Sequence, residues 1–423
     1  MLQVQFIREN RELVLERLAV RNFSRVELVD EIISLDEERR SVQSSLDSLQ
    51  AEANQAARQI GDLMRQGKKE EAEAAKSATA GHKVTIKEKN ERLSAIEVEL
   101  HERLVLLPNL PHTSVPNGVG ADDNEVVLTH GEIPALASDA LPHWEIAAKY
   151  GLIDFEAGVK LTGAGFPVYR GKGARLQRAL INYFLDQAQA AGYDEVQPPI
   201  LINEDSGFGT GQLPDKEGQM YHVTEDNLYL IPTAEVPGTN IFRDVILEES
   251  QLPIGITGYT PCFRREAGSY GAHVRGLNRL HQFDKVEILR IEHPKRSYEA
   301  LDEMVEHVKT ILKELKLPYR ILRLCGGDIG FTSALTYDFE VFSTAQERWL
   351  EISSVSNFET FQANRLKLRF RNSEGKNELA HTLNGSSLAL PRVLAGILEN
   401  YQTKDGIVIP EVLVPYTGFK IID

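Results

Sequence analysis

The chain has 423 residues, of which 42% are hydrophobic and 26% charged, a composition typical of a folded globular protein rather than a disordered or fibrous one. At about 100 to 200 residues per domain, this length predicts two or three domains. The formal net charge of -15 excludes a protein that binds nucleic acid or an anionic membrane over its whole surface, so a polyanionic partner has to meet a local basic region.

The cysteines and the first residues give no sign of export. Cys262 and Cys325 are the only cysteines, and their surroundings lack the Cys-X-X-Cys or Cys/His spacing of a disulfide framework or a zinc site. Charges occur by Arg8 and Glu9, too early for the apolar core of a signal peptide, and no run approaches the ~20 apolar residues of a membrane span. We therefore expect a cytoplasmic protein with no membrane partner.

A heptad pattern fills the N-terminal quarter of the chain. Hydrophobic or small residues recur every seven positions from Leu28 to Leu63 and again from Ala72 to Leu107, with Gly67 in the break between the two series and Arg39 as an interruption. This spacing predicts two helices of roughly 35 to 40 residues packed as an antiparallel coiled-coil hairpin. At 1.5 Å per residue the hairpin would be about 50 to 60 Å long.

Charge is distributed unevenly along this predicted hairpin. Residues 54–92 carry nine Lys and Arg against six Asp and Glu, whereas 24–53 together with 93–105 carry four against eleven. The distal part is therefore where an acidic protein could contact a phosphate backbone. A solvated coiled-coil face without a partner explains the same charges, so this pattern alone leaves both interpretations open.

The composition changes after residue 107. Pro, Asn, Gly and Asp concentrate in 108–130, which predicts a linker, and strand-like and helical runs alternate from 131 to 423. Such runs, with more strands than helices, predict an α+β domain with an antiparallel sheet flanked by helices. The strand candidates are 245–266, 279–291, 319–325 and 378–385, and the helix candidates are 173–192, 294–316 and 387–402.

Two strand candidates carry a set of charges at matching positions. Side chains two apart share a face of an extended chain, so Arg264 and Glu266 share one face, and Phe283, Lys285 and Glu287 share a face of the returning strand. If the strands pair, a cation, an aromatic ring and carboxylates converge, which is the set that ATP-dependent acyl activation requires. A surface hairpin with cross-strand salt bridges is the alternative interpretation.

Three further segments carry polar groups of matching kinds. Thr233 and Glu235 end an apolar run and suit a small zwitterion, while Glu351 and Ser354 offer hard oxygen ligands for magnesium. Arg392, near the start of a helix candidate, could face a phosphate or an aromatic ring. Each of these segments alone is more often a cap, a turn or a surface pair.

Together the segments resemble one family. In chain order they are GYDEVQPP (192–199), TAE (233–235), FRREAGS and HQFDKVE (within 263–287), EISS (351–354) and HTLNGSSLALPR (381–392). Behind a long helical hairpin, this order resembles bacterial-type seryl-tRNA synthetase, a class II aminoacyl-tRNA synthetase, over essentially the whole chain. The resemblance implies an N-terminal tRNA-binding domain at 1–107, a class II catalytic domain at 131–423, and a homodimer whose interface lies around Pro199.

The resemblance also implies a two-step reaction. L-Serine and ATP give seryl-adenylate and pyrophosphate, and a ribose hydroxyl of the terminal adenosine of tRNA(Ser) then takes the seryl group; selenocysteine tRNA is a further implied acceptor. No covalent nucleophile or general base is needed, so catalysis would consist of positioning and charge neutralisation. A pocket that reads the serine hydroxyl would reject alanine strongly and threonine only by its size.

Roles follow from the resemblance position by position. Arg264 would bind the α-phosphate, Phe283 would stack on adenine and Arg392 would reach the terminal phosphate, and the two arginines are the predicted catalytic residues. The predicted ATP-binding residues are Arg264, Arg265, Glu266, Leu280, Phe283, Glu351, Ile352, Ser353, Ser354 and Arg392. The predicted serine-binding residues are Thr233, Ala234, Glu235, Glu287, Asn384 and Ser386. Glu351 and Ser354 would hold Mg²⁺ together with ATP.

Two departures and two alternatives accompany this prediction. Arg265 stands where the family commonly has serine, and Ala272-His273-Val274 replaces a more polar segment that meets the acceptor end of the tRNA. One alternative function is a synthetase-like ligase that charges a carrier protein, and the other is a coiled-coil scaffold with a degenerate catalytic domain. The basic distal hairpin favours tRNA over a carrier protein, and the retained Arg264 and Arg392 argue against degeneracy.

Overall fold

The computed structural model describes residues 1–215, 217–266 and 274–423. The predicted departure at Ala272 and His273 lies outside these residues. The described chain forms two compact units. They are Met1–Ala19 with Phe23–Pro108, and Val20–Asn22 with Asn109–Asp423.

The first unit contains two short helices and two long ones. They are α1 (Val4–Glu9), α2 (Arg11–Val20, whose last residue is assigned to the second unit), α3 (Glu27–Arg65) and α4 (Lys69–Leu104). Helices α3 and α4 pack along each other and bury Leu28 and Ile32 of one series and Ile96 and Leu100 of the other. The turn contains Gly67 at a φ of 77°, a conformation that glycine adopts without strain. The predicted helical hairpin is confirmed.

A buried carboxylate fastens α1 to the hairpin. Asp36 is 1% exposed and accepts hydrogen bonds from Arg8 and from Arg39, the latter at 2.8 Å. Burial alone would raise the pKa of this carboxyl, but the hydrogen bonds from Arg39 and Arg8 outweigh burial and hold the pKa below its ordinary value. Arg39, which interrupts the heptads, therefore helps to neutralise a buried charge beside the seam.

The second unit carries the strands of the protein and the remaining helices. The longer strands are β1 (Glu125–His130), β9 (Ile254–Phe263), β10 (Gln282–Glu292), β11 (Tyr319–Arg323), β12 (Leu335–Ser343), β13 (Arg348–Glu359) and β16 (His381–Ala389). The shorter ones are β2 (Ile153–Asp154), β3 (Val168–Tyr169), β4 (Asp194–Glu195), β5 (Leu201–Ile202), β6 (Tyr221–Val223), β7 (Leu228–Leu230), β8 (Ile246–Glu248), β14 (Arg369–Arg371), β15 (Asn377–Leu379), β17 (Gln402–Thr403), β18 (Gly406–Val408) and β19 (Ile421–Ile422). The helices are α5 (His143–Lys149), α6 (Phe155–Leu161), α7 (Gly171–Ala190), α8 (Glu204–Thr210), α9 (Glu235–Asn240), α10 (Ser297–Glu314), α11 (Thr360–Leu366), α12 (Leu390–Asn400) and α13 (Val414–Thr417).

An eight-stranded sheet organises this unit. Its strand order is β1-β11-β12-β13-β16-β10-β9-β4, and every neighbouring pair is antiparallel except β4 with β9. Helices α7, α10 and α12 contact its strands and enclose a large apolar core. The predicted antiparallel sheet flanked by helices is confirmed. The last six residues of the predicted linker, 108–130, form the edge strand β1.

The centre of the sheet sets the register of the charged residues. On β10, Glu287 lies opposite Gly258 of β9 on one side and Ser386 of β16 on the other. Phe283 and Lys285 precede Glu287 at two-residue steps and therefore share its face. The two strands do pair around residues 263 and 283, with Cys262 opposite Phe283.

A short N-terminal segment, Val20–Asn22, belongs to this second unit. The Arg21 guanidinium donates a hydrogen bond to the carbonyl of Ile329 at 3.1 Å, and burial lowers its pKa to about 9. The Val20 backbone packs so closely on Gly326 that a Cβ at position 326 would lie 1.8 Å from the Val20 carbonyl oxygen. The segment is thus held by both a hydrogen bond and close backbone packing.

Candidate active site

Five separated parts of the second unit line one cavity of about 530 Å³. They are the residues around the start of α9, the end of β9, the strand β10, the strand β13, and β16 with the start of α12; residues within 212–219, 277–280 and 332–333 complete the lining. Among the lining residues are these predicted ones: Thr233, Glu235, Arg264, Glu266, Leu280, Phe283, Glu287, Glu351, Ile352, Ser353, Ser354, Asn384, Ser386 and Arg392. Segments that lie far apart in the chain, from Gln212 to Arg392, therefore meet at one site.

Two predicted residues are not among those described as lining the cavity. Ala234 immediately precedes α9 and is only 2% exposed, so its side chain packs in the interior. Arg265 lies between Arg264 and Glu266, beyond the end of β9. Its N–H donates to the carbonyl of Gln219 at 2.9 Å.

A lysine, a threonine and a glutamate form a hydrogen-bonded set in the cavity wall. The Lys285 ammonium lies 2.5 Å from a carboxylate oxygen of Glu287 and donates to the Thr233 hydroxyl at 2.8 Å. That hydroxyl donates to Glu287 at 3.0 Å. All three residues are buried, and buried charges persist only when they are paired in this way.

Glu235 is a second acid in the same wall. The Gln362 amide donates to its carboxylate at 2.6 Å, and its backbone N–H donates to the Thr233 hydroxyl at 3.2 Å. Burial, followed by the charge of Glu287, raises the pKa of Glu235 to about 7. Because Lys285 is already paired with Glu287, the two carboxylates together favour an additional cation in the cavity, such as an ammonium group.

Arg264 and Phe283 lie together beyond these acids. The Arg264 guanidinium sits over the Phe283 ring, with its central carbon 5.2 Å from the ring centroid, a distance at which a cation is attracted to the ring face. Its Nε donates to the carbonyl of Pro232 at 3.4 Å. The arrangement combines a fixed positive charge with an aromatic surface.

Glu266 faces the cavity, but not because of the strand alternation that the sequence suggests. Strand β9 ends at Phe263, and Glu266 has a φ of 49°, so the extended alternation has already stopped. The Glu266 N–H donates to the side-chain oxygen of Gln219 at 3.0 Å, and its carboxylate accepts from Arg279. These two contacts direct the side chain toward the cavity.

Arg392 projects from the first turn of α12. Its Nε donates to the carbonyl of Asn278 at 2.9 Å and its Nη1 to the carbonyl of Glu351 at 2.8 Å, while the Glu351 carboxylate is 3.6 Å away. Two backbone carbonyls from different parts of the chain therefore hold the guanidinium at the cavity wall. A planar cation held in this way suits a phosphate or a ring face.

Oxygen donors suited to a divalent cation lie beside Arg392. Asp338 faces Ser354 across the β12–β13 pair, and its Oδ1 is buried with no hydrogen-bond partner among the described residues. Burial, then the charge of Glu351, raises the pKa of Asp338 well above its ordinary value. The described residues contain no cluster of three or more His, Cys, Asp or Glu that could hold a metal ion.

Sequence reasoning missed a buried pair behind the cavity. Glu399 accepts from the His143 ring at 2.7 Å, and the opposite ring nitrogen accepts the Leu277 N–H at 2.8 Å. Burial alone would raise the pKa of Glu399, but hydrogen bonds from His143 and Ser343 hold it below its ordinary value. His143 thereby fixes the backbone next to Asn278, the residue that holds Arg392. A single histidine in a helical run gives no local signal of this contact.

The fold and the cavity define a class of protein. Residues 221–401 match the family model described as tRNA synthetase class II core domain (G, H, P, S and T), so the second unit contains the core of a class II aminoacyl-tRNA synthetase. Residues 1–111 match the family model described as Seryl-tRNA synthetase N-terminal domain.

Similar proteins narrow the class further. A serine–tRNA ligase of Salinibacter ruber is 52% identical over 424 residues, covering 100% of this chain and 99% of the relative, and one of Chlorobaculum parvum is 48% identical over 432 residues, covering 100% of both. The crystal structure of seryl-tRNA synthetase from Pyrococcus horikoshii complexed with ATP has a TM-score of 0.94 at 33% identity and covers 100% of this chain and 99% of its own. The chain belongs to the serine–tRNA ligase family, as its motifs predict.

Proposed function

We propose that this chain joins L-serine and ATP in the cavity described above and then transfers the seryl group to the 3′ end of tRNA(Ser). In the first step a serine carboxylate oxygen attacks the α-phosphorus, and the bond to pyrophosphate breaks. In the second, a ribose hydroxyl attacks the seryl carbonyl and AMP leaves. The observation that carries the proposal is the convergence of two acids, two arginines and an aromatic ring on one cavity.

The proposed roles follow the charges of the cavity. Glu235 and Glu287, with Thr233, would receive the ammonium and hydroxyl of serine. Arg264 would neutralise the α-phosphate as the carboxylate approaches, a contribution that grows in the transition state. Arg392 would hold the terminal phosphate. No side chain has to act as nucleophile or base, because both attacking groups belong to the substrates.

The nucleotide and its metal are part of the proposal. The related seryl-tRNA synthetase from Pyrococcus horikoshii was crystallised in complex with ATP, and we extend ATP binding to this chain at Phe283 and Glu266. Glu351 and Ser354 would hold Mg²⁺, with Asp338 next to them. When bound, the ion would draw charge from the phosphate oxygens and so assist the departure of pyrophosphate.

The distal hairpin is the proposed contact for the tRNA. Arg58, Lys69 and Lys83 are exposed there, and none has an ion-pair partner among the described residues. Other cations of the arm are paired, such as Lys76 with Glu73 at 3.5 Å and Arg92 with Glu38 at 2.7 Å. Unpaired cations can bind a phosphate backbone without first breaking internal salt bridges. We propose tRNA(Ser) as the partner, and selenocysteine tRNA as a second acceptor.

A homodimer is also proposed, with its interface around Pro199. Ile200 and Leu201 are 36% and 40% exposed. A groove of about 520 Å³ is lined in part by Ile181 of α7 and by Val196, which precedes Ile200 in the same segment of the chain. Apolar residues exposed in a patch mark a surface that a partner covers. Sedimentation of the Ile200→Glu/Leu201→Glu variant tests this, since a persistent dimer would contradict it.

Location remains a prediction. No helix in the described part of the chain is long and apolar enough to cross a membrane. The cytoplasmic location predicted from the sequence is kept as a proposal, because the substrates of tRNA charging meet in that compartment.

Two assays test the proposed function. Serine-dependent exchange between ATP and labelled pyrophosphate measures the first step, and we expect it with serine but not with alanine. Charging of tRNA(Ser) with labelled serine measures the second. Exchange without charging would support the ligase that acts on a carrier protein, whereas absence of both activities would support the scaffold.

A further inference from the structure

Behind the acids of the cavity, a buried glutamine links α11 to Glu235. We infer that Gln362 is a positioning residue for the amino-acid substrate, which orients the Glu235 carboxylate and keeps it charged so that it can receive the substrate ammonium. This inference rests on the proposed function, in which Glu235 binds serine, and adds a residue that does not line the cavity.

The hydrogen bonds of Gln362 leave a single orientation for its amide. The side chain is 1% exposed. Its nitrogen donates to Glu235 at 2.6 Å and to the Thr210 carbonyl at 3.3 Å, and its oxygen accepts from the Thr382 hydroxyl at 2.7 Å. The Thr210 carbonyl and an ionised Glu235 can only accept, so the amide nitrogen must face both of them. The Thr382 hydroxyl then locks the opposite side.

The charges around Glu235 show why a donor is needed there. Glu287 and Lys285 face it from β10, and Arg264 from the end of β9. Lys285 is engaged with Glu287 and Thr233, and Arg264 is held at Pro232 and Phe283. Of the described residues, Gln362 thus supplies the side-chain hydrogen bond to the Glu235 carboxylate. That bond lowers the pKa of Glu235 against the effects of burial and Glu287.

A purely structural role would be served by another residue. Methionine has nearly the volume of glutamine and fills buried space without any hydrogen bonds. With methionine at 362, the buried carboxylate of Glu235 would lose its donor, and an unsatisfied buried charge is costly. The carboxyl would then take up a proton more readily, and a neutral carboxyl attracts an ammonium group weakly.

The test compares Gln362→Met and Gln362→Glu with the wild type in serine-dependent pyrophosphate exchange between pH 6 and pH 9. For Gln362→Met at pH 7 we expect the KM for serine to rise by about 10- to 100-fold, the range of hydrogen bonds to charged groups. The KM for ATP should stay within about twofold, because the nucleotide residues are not contacted. The pH above which serine binds well should also move upward.

The isosteric Gln362→Glu variant separates charge from volume. A third carboxyl beside Glu235 and Glu287 shares protons with them and opposes their ionisation. We expect its KM for serine to exceed that of the methionine variant at pH 8. Should Gln362→Met fail to fold, the KM of Gln362→Glu for serine tests the inference by itself.

A double substitution tests whether Gln362 acts through Glu235. On a Glu235→Gln background, Gln362→Met should change the KM for serine little, because the carboxylate that it serves is gone; independent effects would multiply. Gln402→Met, which removes an amide bonded to the backbone of Leu141, controls for general destabilisation. Multiplying effects, or equal changes in the KM for ATP and serine, would overturn the inference.

Different results would overturn the proposed function and the inference on Gln362. Absence of serine-dependent exchange in the wild type would end the proposed function. Exchange in the wild type with an unchanged KM for serine in both Gln362 variants would end this inference alone.

Discussion

Replacing Glu235 by glutamine should make the apo protein more stable at neutral and alkaline pH. The pKa of Glu235 is raised from 4.5 to about 7, so between these values the folded state binds more protons than the unfolded state. The free energy of unfolding contributed by this group is therefore greatest below pH 4.5 and falls as the pH rises through 7. Glutamine keeps the shape of the side chain and cannot titrate.

The size of the effect follows from the pKa. One pKa unit corresponds to about 1.4 kcal/mol, so ionising Glu235 in the folded protein costs about 3 kcal/mol. Relative to the wild type, Glu235→Gln should gain about this amount between pH 5 and pH 8.

Tryptophan fluorescence during urea unfolding measures this gain. Trp144 and Trp349 are the only tryptophans of the chain and both lie in the second unit, so the signal reports that unit. Unfolding curves at pH 5, 6, 7 and 8 give the difference between variant and wild type at each pH. A difference that stays constant from pH 5 to pH 8 would refute the reasoning.

Added serine supplies an independent check. If its ammonium pairs with ionised Glu235, serine should stabilise the wild type more at pH 8 than at pH 6, since a ligand that binds only the folded state stabilises it. The Glu235→Gln variant should respond weakly at both pH values.

Three further outcomes are expected. Arg264→Ala should lower pyrophosphate exchange by about 10²-fold or more, because a preorganised charge on the reacting phosphate is lost, and exchange rates at saturating ATP measure this. Reversing Arg58, Lys69 and Lys83 to Glu should leave exchange unchanged, weaken tRNA binding and reduce its salt dependence, as filter binding at several salt concentrations will show. His143→Phe should raise the KM for ATP by about tenfold. His143→Gln should keep the KM for ATP much closer to the wild-type value, since an amide oxygen can still accept the Leu277 N–H.

Controls accompany these variants. Reversal of Lys160, Lys404 and Lys420, three exposed lysines of the second unit, matches the change in net charge and should leave the salt dependence intact. Equal KM values for ATP in His143→Phe and His143→Gln would contradict the proposal that His143 positions the backbone next to Asn278. An Arg264→Ala variant that keeps a tenth of wild-type exchange would contradict the role of that arginine.

The helical hairpin was predictable because its signal is local and repeated. A seven-residue period over many turns specifies which side of each helix is apolar, and Gly67 marks the turn. The contact that anchors α1 was not predictable in the same way. Asp36 lies beside the heptad seam and reads as a surface acid until Arg8, 28 positions away, is placed next to it.

The cavity was only partly predictable. The segments around Arg264 and Phe283 carry their own pattern, since two-residue alternation and strand pairing bring them together. Gln362 and His143 carry none, because each is a single polar residue in an ordinary helical run whose partners lie far away in the sequence. Their importance depends on burial and on contacts that only the folded chain establishes.

The attachment of Val20–Asn22 to the second unit has a consequence for dividing the protein. The chain passes from one unit to the other after Ala19, after Asn22 and after Pro108. A fragment that starts at Asn109 would leave the carbonyl of Ile329 without its Arg21 donor and remove the backbone that packs on Gly326. Excision of α3 and α4 alone avoids this loss. Chimaeras of related chains should therefore tolerate an exchange of α3 and α4 more readily than an exchange of the segment that contains Val20–Asn22.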